Sequence, residues 1–351
     1  MARRGSSGRW ALVPVVALAA GGVACSGGDG GRDDVVIGPV EFEPTAEFLS
    51  AASRRSSESA YRIDMTMTWD AAHDGDEFSI DAPFMTGDLI GERYAYVVDM
   101  EDFLDQMAAE EGESAPVLDD YTLSVVGDDE TLYLRAPVYA AVAEARPGRD
   151  LGARGELAVL GDRWGRVDLR TLDDVSLAKL QQLLGVSTSS SELDPRILLD
   201  LVSHADDVEE LGTDEVDGVG VNGLAADVPM TDMLEANGTD PEDYSEQVMA
   251  EGDESGLDAD TRTAIVERTL DYEMPCEVWV DGEGYVRRIT VEVDMTEIMG
   301  WVRAQAMGMD EFTIGGTIDY SAYGDEGIAV EFPADAIDAT EIVGRALEEG
   351  P

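Results

Sequence analysis

Residues 61–69, YRIDMTMTW, alternate without exception: Tyr61, Ile63, Met65, Met67 and Trp69 are apolar, and Arg62, Asp64, Thr66 and Thr68 are polar. Successive side chains of a β-strand point to opposite faces, so strict period two over this length predicts a strand with one face in the core and one in water. A helix would scatter the same residues around its circumference.

The pattern recurs along the chain. EFSIDA places Phe78 and Ile80 on one face, RYAYVVD places Tyr94 and Tyr96, and YTLSVVG places Tyr121, Leu123 and Val125; TLYLRA follows the Gly127-Asp128-Asp129 turn. Near the C-terminus, CEVWVDGEGYVRRITVEVDM reads as a hairpin turning at Asp281–Gly284, with FTIGGTIDY and IAVEF as further strands. Between the two groups of strands, Leu172–Leu184 carries Val175, Leu177, Leu180, Leu183 and Leu184 at helical spacing, and a second helix is expected from the Asp194-Pro195 pair. A shorter helix is expected from Thr45, with Phe48, Leu49 and Ala52 on one face. Strands grouped with strands, interrupted by helices that do not alternate with them, predict an α+β fold with one antiparallel sheet and helices on one face. The stretches 105–119, 143–160 and 236–262 are acidic or rich in Gly and Pro and read as insertions.

The N-terminus constrains location. Arg3, Arg4 and Arg9 precede an apolar run from Trp10 to Ala20 that closes on small residues before Cys25. This run is short of the roughly 20 residues of a membrane-spanning helix and contains Pro14, so it reads as an export signal rather than a permanent anchor. A lone cysteine at the end of such a signal, followed by Gly-rich sequence, resembles a bacterial lipoprotein signal, whose box ends small-small-Cys as Val23-Ala24-Cys25 does; Gly22 stands where the box usually has Leu. That resemblance implies a diacylglyceryl thioether on Cys25, cleavage before it, and acylation, palmitate included, of the new N-terminus. The alternative is an ordinary secreted protein in which Cys25 is a free thiol.

Loss of residues 1–24 removes three arginines and no acid, taking the net charge from −53 to −56. Such a surface repels nucleic acid and anionic headgroups. Yet 44% of residues are hydrophobic, more than an acidic disordered chain carries, so the acids form a solvated skin over a real core. With Cys25 lipidated, Cys276 has no disulfide partner, and its place in the alternating MPCEVWVD makes it a buried small hydrophobe.

Several stretches mimic active sites. GVGVNG, residues 218–223, matches a dinucleotide-binding glycine pattern but lacks the helix that must follow, and reads as a turn between strands. Asp281, Glu283 and Glu292 fall at calcium-loop positions, yet Val286 stands where the loop needs glycine. His73, in an acidic loop, and His204, after a helix, are the only histidines and lie in no metal-ligand spacing. No nucleophile elbow, zinc-protease or Cys-x-x-Cys motif occurs, so no enzyme, cofactor or metal is expected.

The order of these parts resembles the actinobacterial LppX/LprG-type lipoproteins of the LolA/LolB-like superfamily. The phrases that carry the resemblance are the cysteine box, AYRIDMTMTW, RWGRVDLRTL at 163–172, DPRILLDLVSHADDVEELG at 194–212, VDGVGVNGLAADV at 216–228 and VWVDGEGYVRRITVEVD. The resemblance implies a strongly curved half-barrel of about eleven antiparallel strands, helices against its concave side, and an apolar cavity that binds lipid chains for transport across the envelope. Residues 1–24 are then the signal peptide, 25–44 a lipidated tether and 45–351 the LolA-like lipid-binding domain, held on the outer face of the cytoplasmic membrane by the acyl chains. The expected partners are a lipid or glycolipid ligand, the membrane and an envelope transport protein, with no nucleic acid. Ile63, Met65, Met67, Trp69, Phe78, Ile80, Tyr94 and Tyr96 alternate correctly to line such a cavity, though the same residues could be ordinary core. The same fold also serves as a protein-interaction or sensor module without lipid cargo, and that function is the alternative.

Overall fold

The computed structural model describes residues 51–349 apart from 53, 57–58, 74–75, 111–116, 146–151, 185–194, 206, 237–238, 256–257 and 300–310. Cys25, the start of the expected N-terminal helix and the Asp194 cap lie outside the described residues.

Among the described residues twelve strands form one open, curved sheet in the order β12-β6-β5-β4-β3-β2-β1-β11-β10-β9-β8-β7. They are β1 Tyr61–His73, β2 Asp76–Ile90, β3 Arg93–Asp99, β4 Thr122–Gly127, β5 Thr131–Arg135, β6 Gly165–Asp168, β7 Val208–Val216, β8 Val219–Pro229, β9 Glu273–Asp281, β10 Val286–Asp294, β11 Glu311–Ser321 and β12 Ile337–Asp338. Every neighbouring pair is antiparallel except β12 with β6. The expected half-barrel is present with one strand more than foreseen.

Registers show how alternation builds a core. Leu123, Val98, Met85, Met65, Ile318, Ile289, Val278 and Leu224 stand side by side across eight strands, from β4 to β8, and all are buried. We call the face that carries this row the inner face. On the other face Arg62, Asp64, Thr66 and Thr68 meet partly exposed polar neighbours, among them Thr86, whose hydroxyl donates to Asp64 at 2.8 Å. Pro83 sits inside β2 without breaking the ladder because the register shifts there, leaving Phe84 as the extra residue of a bulge.

The helices cover the inner face. They are α1 Glu101–Glu110, α2 Pro137–Ala145, α3 Ala153–Leu157, α4 Asp174–Leu184, α5 Pro195–His204, α6 Met230–Ala236, α7 Pro241–Ser255, α8 Ala259–Asp271, α9 Met295–Met299 and α10 Thr340–Glu349. Residues such as Leu180, Leu199, Leu234, Ile265, Ile298 and Val343 join the inner-face strand residues in one buried cluster. Tyr139 of α2 donates its hydroxyl to the Leu183 carbonyl of α4 at 3.2 Å inside that layer.

Four expectations are corrected. The regions read as insertions contain α3 and α7 and overlap α1 and α8, because a helix that needs only one buried stripe tolerates an acidic outer face. IAVEF is not a strand of the sheet. It belongs to a strap, residues 322–336, that leaves β11 and reaches β12 beyond β1–β6 on the outer face, where Phe332 stacks on Tyr133 at 5.5 Å and lies under the Arg93 guanidinium. Ile328, Val330 and Phe332 still alternate with more exposed residues, since an extended chain lying flat on a sheet also buries every second side chain. In the GVGVNG stretch the turn is Asp217-Gly218, both at positive φ (49° and 78°), and residues 219–223 already belong to β8. Finally, His73 ends β1 and His204 ends α5, rather than lying outside regular structure.

Candidate functional site

All eight candidate lining residues lie on the inner face. On β1, Ile63, Met65, Met67 and Trp69 follow one another at every second position; Ile80 stands opposite Trp69 and Phe78 opposite Ala71. Tyr96 lies in the Ile63 row, because Gly87 pairs with both, and Tyr94 lies beside it opposite Leu89. The two tyrosine rings stack at 5.7 Å. Glycines make room for them: a Cβ on Gly127 would sit 2.6 Å from the Tyr94 hydroxyl, and one on Gly87 would sit 2.7 Å from the Tyr96 Cβ.

Burial divides the set. Ile63, Met65, Ile80 and Tyr94 expose 1% of their surface or less, so each is enclosed by other atoms. Tyr96 and Met67 expose 2% and 5%, and Trp69 and Phe78 are half-buried. Both half-buried members lie toward the end where β1 and β10 finish and β2, β9 and β11 begin, although Ile80 beside them is enclosed.

That end is aromatic and rich in methionine. The Trp69 ring meets Phe103 of α1 edge-on at 5.0 Å and Phe312 of β11 at 5.9 Å. Its Nε1 is buried and has no hydrogen-bond partner among the described residues. Met230 and Met233 open α6 directly after β8, Met274 is the second residue of β9, and Met295 and Met299 form the ends of α9 directly after β10; all five are buried. Unbranched, polarisable methionines repack more readily than branched aliphatics, so this end is the most adaptable part of the core. Reading the strands alone missed these methionines and Phe103. The available signal was methionine at three strand–helix junctions, in DVPMTDM, DYEMP and EVDMTEIM.

A row of small residues runs beside Met67. Ala82 and Gly316 flank it, and the row continues through Val291, Cys276 and Ala226. Cys276 is buried there, and burial, reinforced by the Asp227 charge, pushes its thiol up to about 12. It therefore acts as a small hydrophobe and not as a nucleophile.

Among the described residues the buried carboxylates are Asp281 and Asp319, and both are held by arginine away from the inner face. Asp281 accepts the amides of Glu283 and Tyr285 and pairs with Arg287 at 2.7 Å, so the calcium-like stretch is a hairpin turn built on its own carboxylate. Asp319 takes both arms of the Arg288 guanidinium at 2.6 and 2.8 Å. On the outer face, Asp64 is held above the usual carboxylate range by burial, which its Thr86 hydrogen bond only partly offsets. Among the described residues no group of three or more His, Cys, Asp or Glu could hold a metal ion, and no helix is long and apolar enough to cross a membrane.

No family model and no curated protein matches the sequence. Among solved structures, the chain is similar to the lipoprotein LppX of Mycobacterium tuberculosis, at 11% identity over 81% of this chain and 98% of that one, with a TM-score of 0.33. It is similar also to LprF of Mycobacterium bovis, at 10% identity over 82% and 96% of the two chains with a TM-score of 0.35, and to a DUF1329 family protein of Desulfovibrio piger, at 10% identity over 81% and 93% with a TM-score of 0.20.

Proposed function

We propose that the protein is an exported envelope lipoprotein that binds lipid acyl chains between the inner face of its sheet and the helices over it. In this reading residues 1–24 direct export, Cys25 carries the acyl anchor on the outer face of the cytoplasmic membrane, residues 25–44 form the tether, and the rest of the chain carries lipid or glycolipid to a further envelope partner. The observation that supports it most directly is the adaptable end of the inner face: half-buried Trp69 and Phe78, edge-packed Phe103 and Phe312, and five methionines on the surrounding strand and helix ends. Acyl chains entering there would displace flexible side chains, and each methylene removed from water contributes about 0.8 kcal/mol. The enclosure of Ile63, Met65 and Tyr94, away from this end, favours entry here over filling of the whole face.

Full enclosure of those residues also suits a second reading, a protein-interaction or sensor module with a filled core. Mass spectrometry of organic extracts separates the two. The chain carrying Cys25→Ala, purified without detergent, should yield stoichiometric lipid, and Met67→Arg should abolish that lipid with the chain still folded; unfolding instead would put Met67 in a packed core. Lipid-free parent protein would leave the interaction module. For the anchor, the intact mass of the unmodified chain extracted from membranes should exceed the polypeptide mass from Cys25 onward by the acyl groups, and Cys25→Ala should remove that excess.

A further inference from the structure

The two edges of the sheet are finished differently. At the β6 edge the chain turns back on itself: the strap crosses the outer face, Ile337 and Asp338 pair with Gly165 and Arg166, and α10 returns to the inner side, where Val343 and Ala346 are buried. At the other edge β7, whose register shifts between Glu210 and Gly212, pairs among the described residues with β8 alone, and eight of its nine residues, Val208 through Glu215, are exposed on both faces. A long strand with one unpaired side presents a row of amides and carbonyls that an extended chain can complete.

We infer that the free edge of β7 receives an extended arginine- or lysine-rich segment of a partner protein as an additional strand. The charge selects the occupant. Glu209, Glu210, Asp214 and Glu215 lie on β7, Asp207 and Asp217 flank it, and no lysine or arginine occurs from Ala205 to Thr261. A second copy of this chain would set these carboxylates against themselves, whereas cationic side chains at adjacent positions of an added strand, which point to opposite faces, would meet Glu210 and Glu215 on one face and Glu209 and Asp214 on the other. Val208 and Leu211, 36% and 38% exposed, add apolar contact. The amide of Glu215 donates to the side chain of its neighbour Asp214 at 2.8 Å, so an edge amide is held by a carboxylate that a stronger cationic partner can draw away. This inference stands on the edge alone and does not depend on lipid in the core.

The probe is a nine-residue peptide of arginine pairs separated by valines, which places arginine on both faces of an added strand, titrated into the full chain at about 0.15 M salt, where long-range attraction is largely screened. The expected result is one peptide per chain, with amide exchange slowed across Val208–Val216 and unchanged elsewhere. Neutralising the edge by Glu209→Gln, Glu210→Gln, Asp214→Asn and Glu215→Gln should weaken binding about tenfold or more, and neutralising Glu235, Glu242, Asp243 and Glu246 in the same way should change it less than about twofold. A peptide of equal charge with a central proline, which cannot complete the ladder, should also lose about tenfold on the unmodified protein. Equal losses in the two protein variants, protection away from β7, no binding, or β7 protected in a self-associated protein without peptide would each overturn the proposal.

Discussion

The inner face depends on small residues as much as on large ones. Gly87 and Gly127 lie under Tyr96 and Tyr94 on adjacent strands, and the atoms an added Cβ would strike at Gly87 are the Tyr96 Cβ and the Ala95 carbonyl, which cannot swing aside. Gly87→Ala should therefore cost about 1–3 kcal/mol in urea unfolding, as overpacking does elsewhere. A cost near zero would mean that β2 and β3 can separate at that point. Met65→Ala, at a fully enclosed position, should cost about 2–5 kcal/mol, the range for methionine truncation in a packed core. Cys276 offers a chemical check on the same packing. With its thiol pushed up to about 12, the thiolate fraction at pH 8 is about one part in ten thousand, and the buried sulfur is shielded besides. It should stay unmodified by thiol reagents in the native protein and react at once in denaturant. Native labelling at a comparable rate would show that the strands around Val291 and Ala226 open readily.

At the scale of elements, the strap and the helix caps carry separate consequences. Phe332 holds the part of the strap nearest β12 on the outer face, through Tyr133 and Arg93, while Tyr323 holds its start by stacking on Tyr285, so Phe332→Ala should lower stability by about 1–3 kcal/mol and hasten amide exchange in β12 and α10 before the central strands. Uniform exchange across the sheet would show that the strap is not the part that opens. At the start of α8 the Asp258 carboxylate accepts the Thr261 amide at 2.8 Å, and that bond lowers its pKa. A depressed folded-state pKa stabilises above the unfolded value near 4, and the effect is lost as pH falls through the lower folded value. Asp258→Asn keeps the cap acceptor but removes the charge, so the stability gap between the two proteins should be greatest above about pH 4 and close as pH falls through the lower folded value. What the sequence made legible divides along the same lines. Strands buried on one face announced themselves, as β1 did from Tyr61 to Trp69. β7 did not, because an edge exposed on both faces needs no alternation and has Val208, Leu211 and Val216 as its only aliphatics; β12 is two residues long. The strap kept the alternation of a strand without its pairing. The eight residues share the inner face, as their alternation implied, but periodicity carries no information about enclosure, and so the division between sealed Met65 and half-buried Trp69 emerged only from packing.

At the scale of the whole molecule the dominant quantity is charge. With 76 acids against 23 lysines and arginines, 53 carboxylates have no cation to meet even if every basic residue were paired. Arginines at the surface are indeed paired: Arg62 with Asp88, Arg170 with Asp168 and Glu130, Arg345 with Glu156. Exposed pairs of this kind contribute about 0–1 kcal/mol each, and salt weakens them. Salt also weakens the repulsion among the surplus carboxylates, which opposes compaction in every region of the surface at once. Because the surplus is more than twice the number of basic residues, relief of repulsion outweighs loss of pairing. The melting temperature should therefore rise with sodium chloride from about 0.01 M, where the screening length is about 30 Å and spans the domain, to about 1 M, where it falls to about 3 Å and isolates each charge. Magnesium should reach the same plateau at lower concentration, since a divalent ion gathers more strongly on so negative a surface. Cooling of the transition by salt would mean that the few arginine pairs, and not the carboxylate excess, govern the electrostatics of folding.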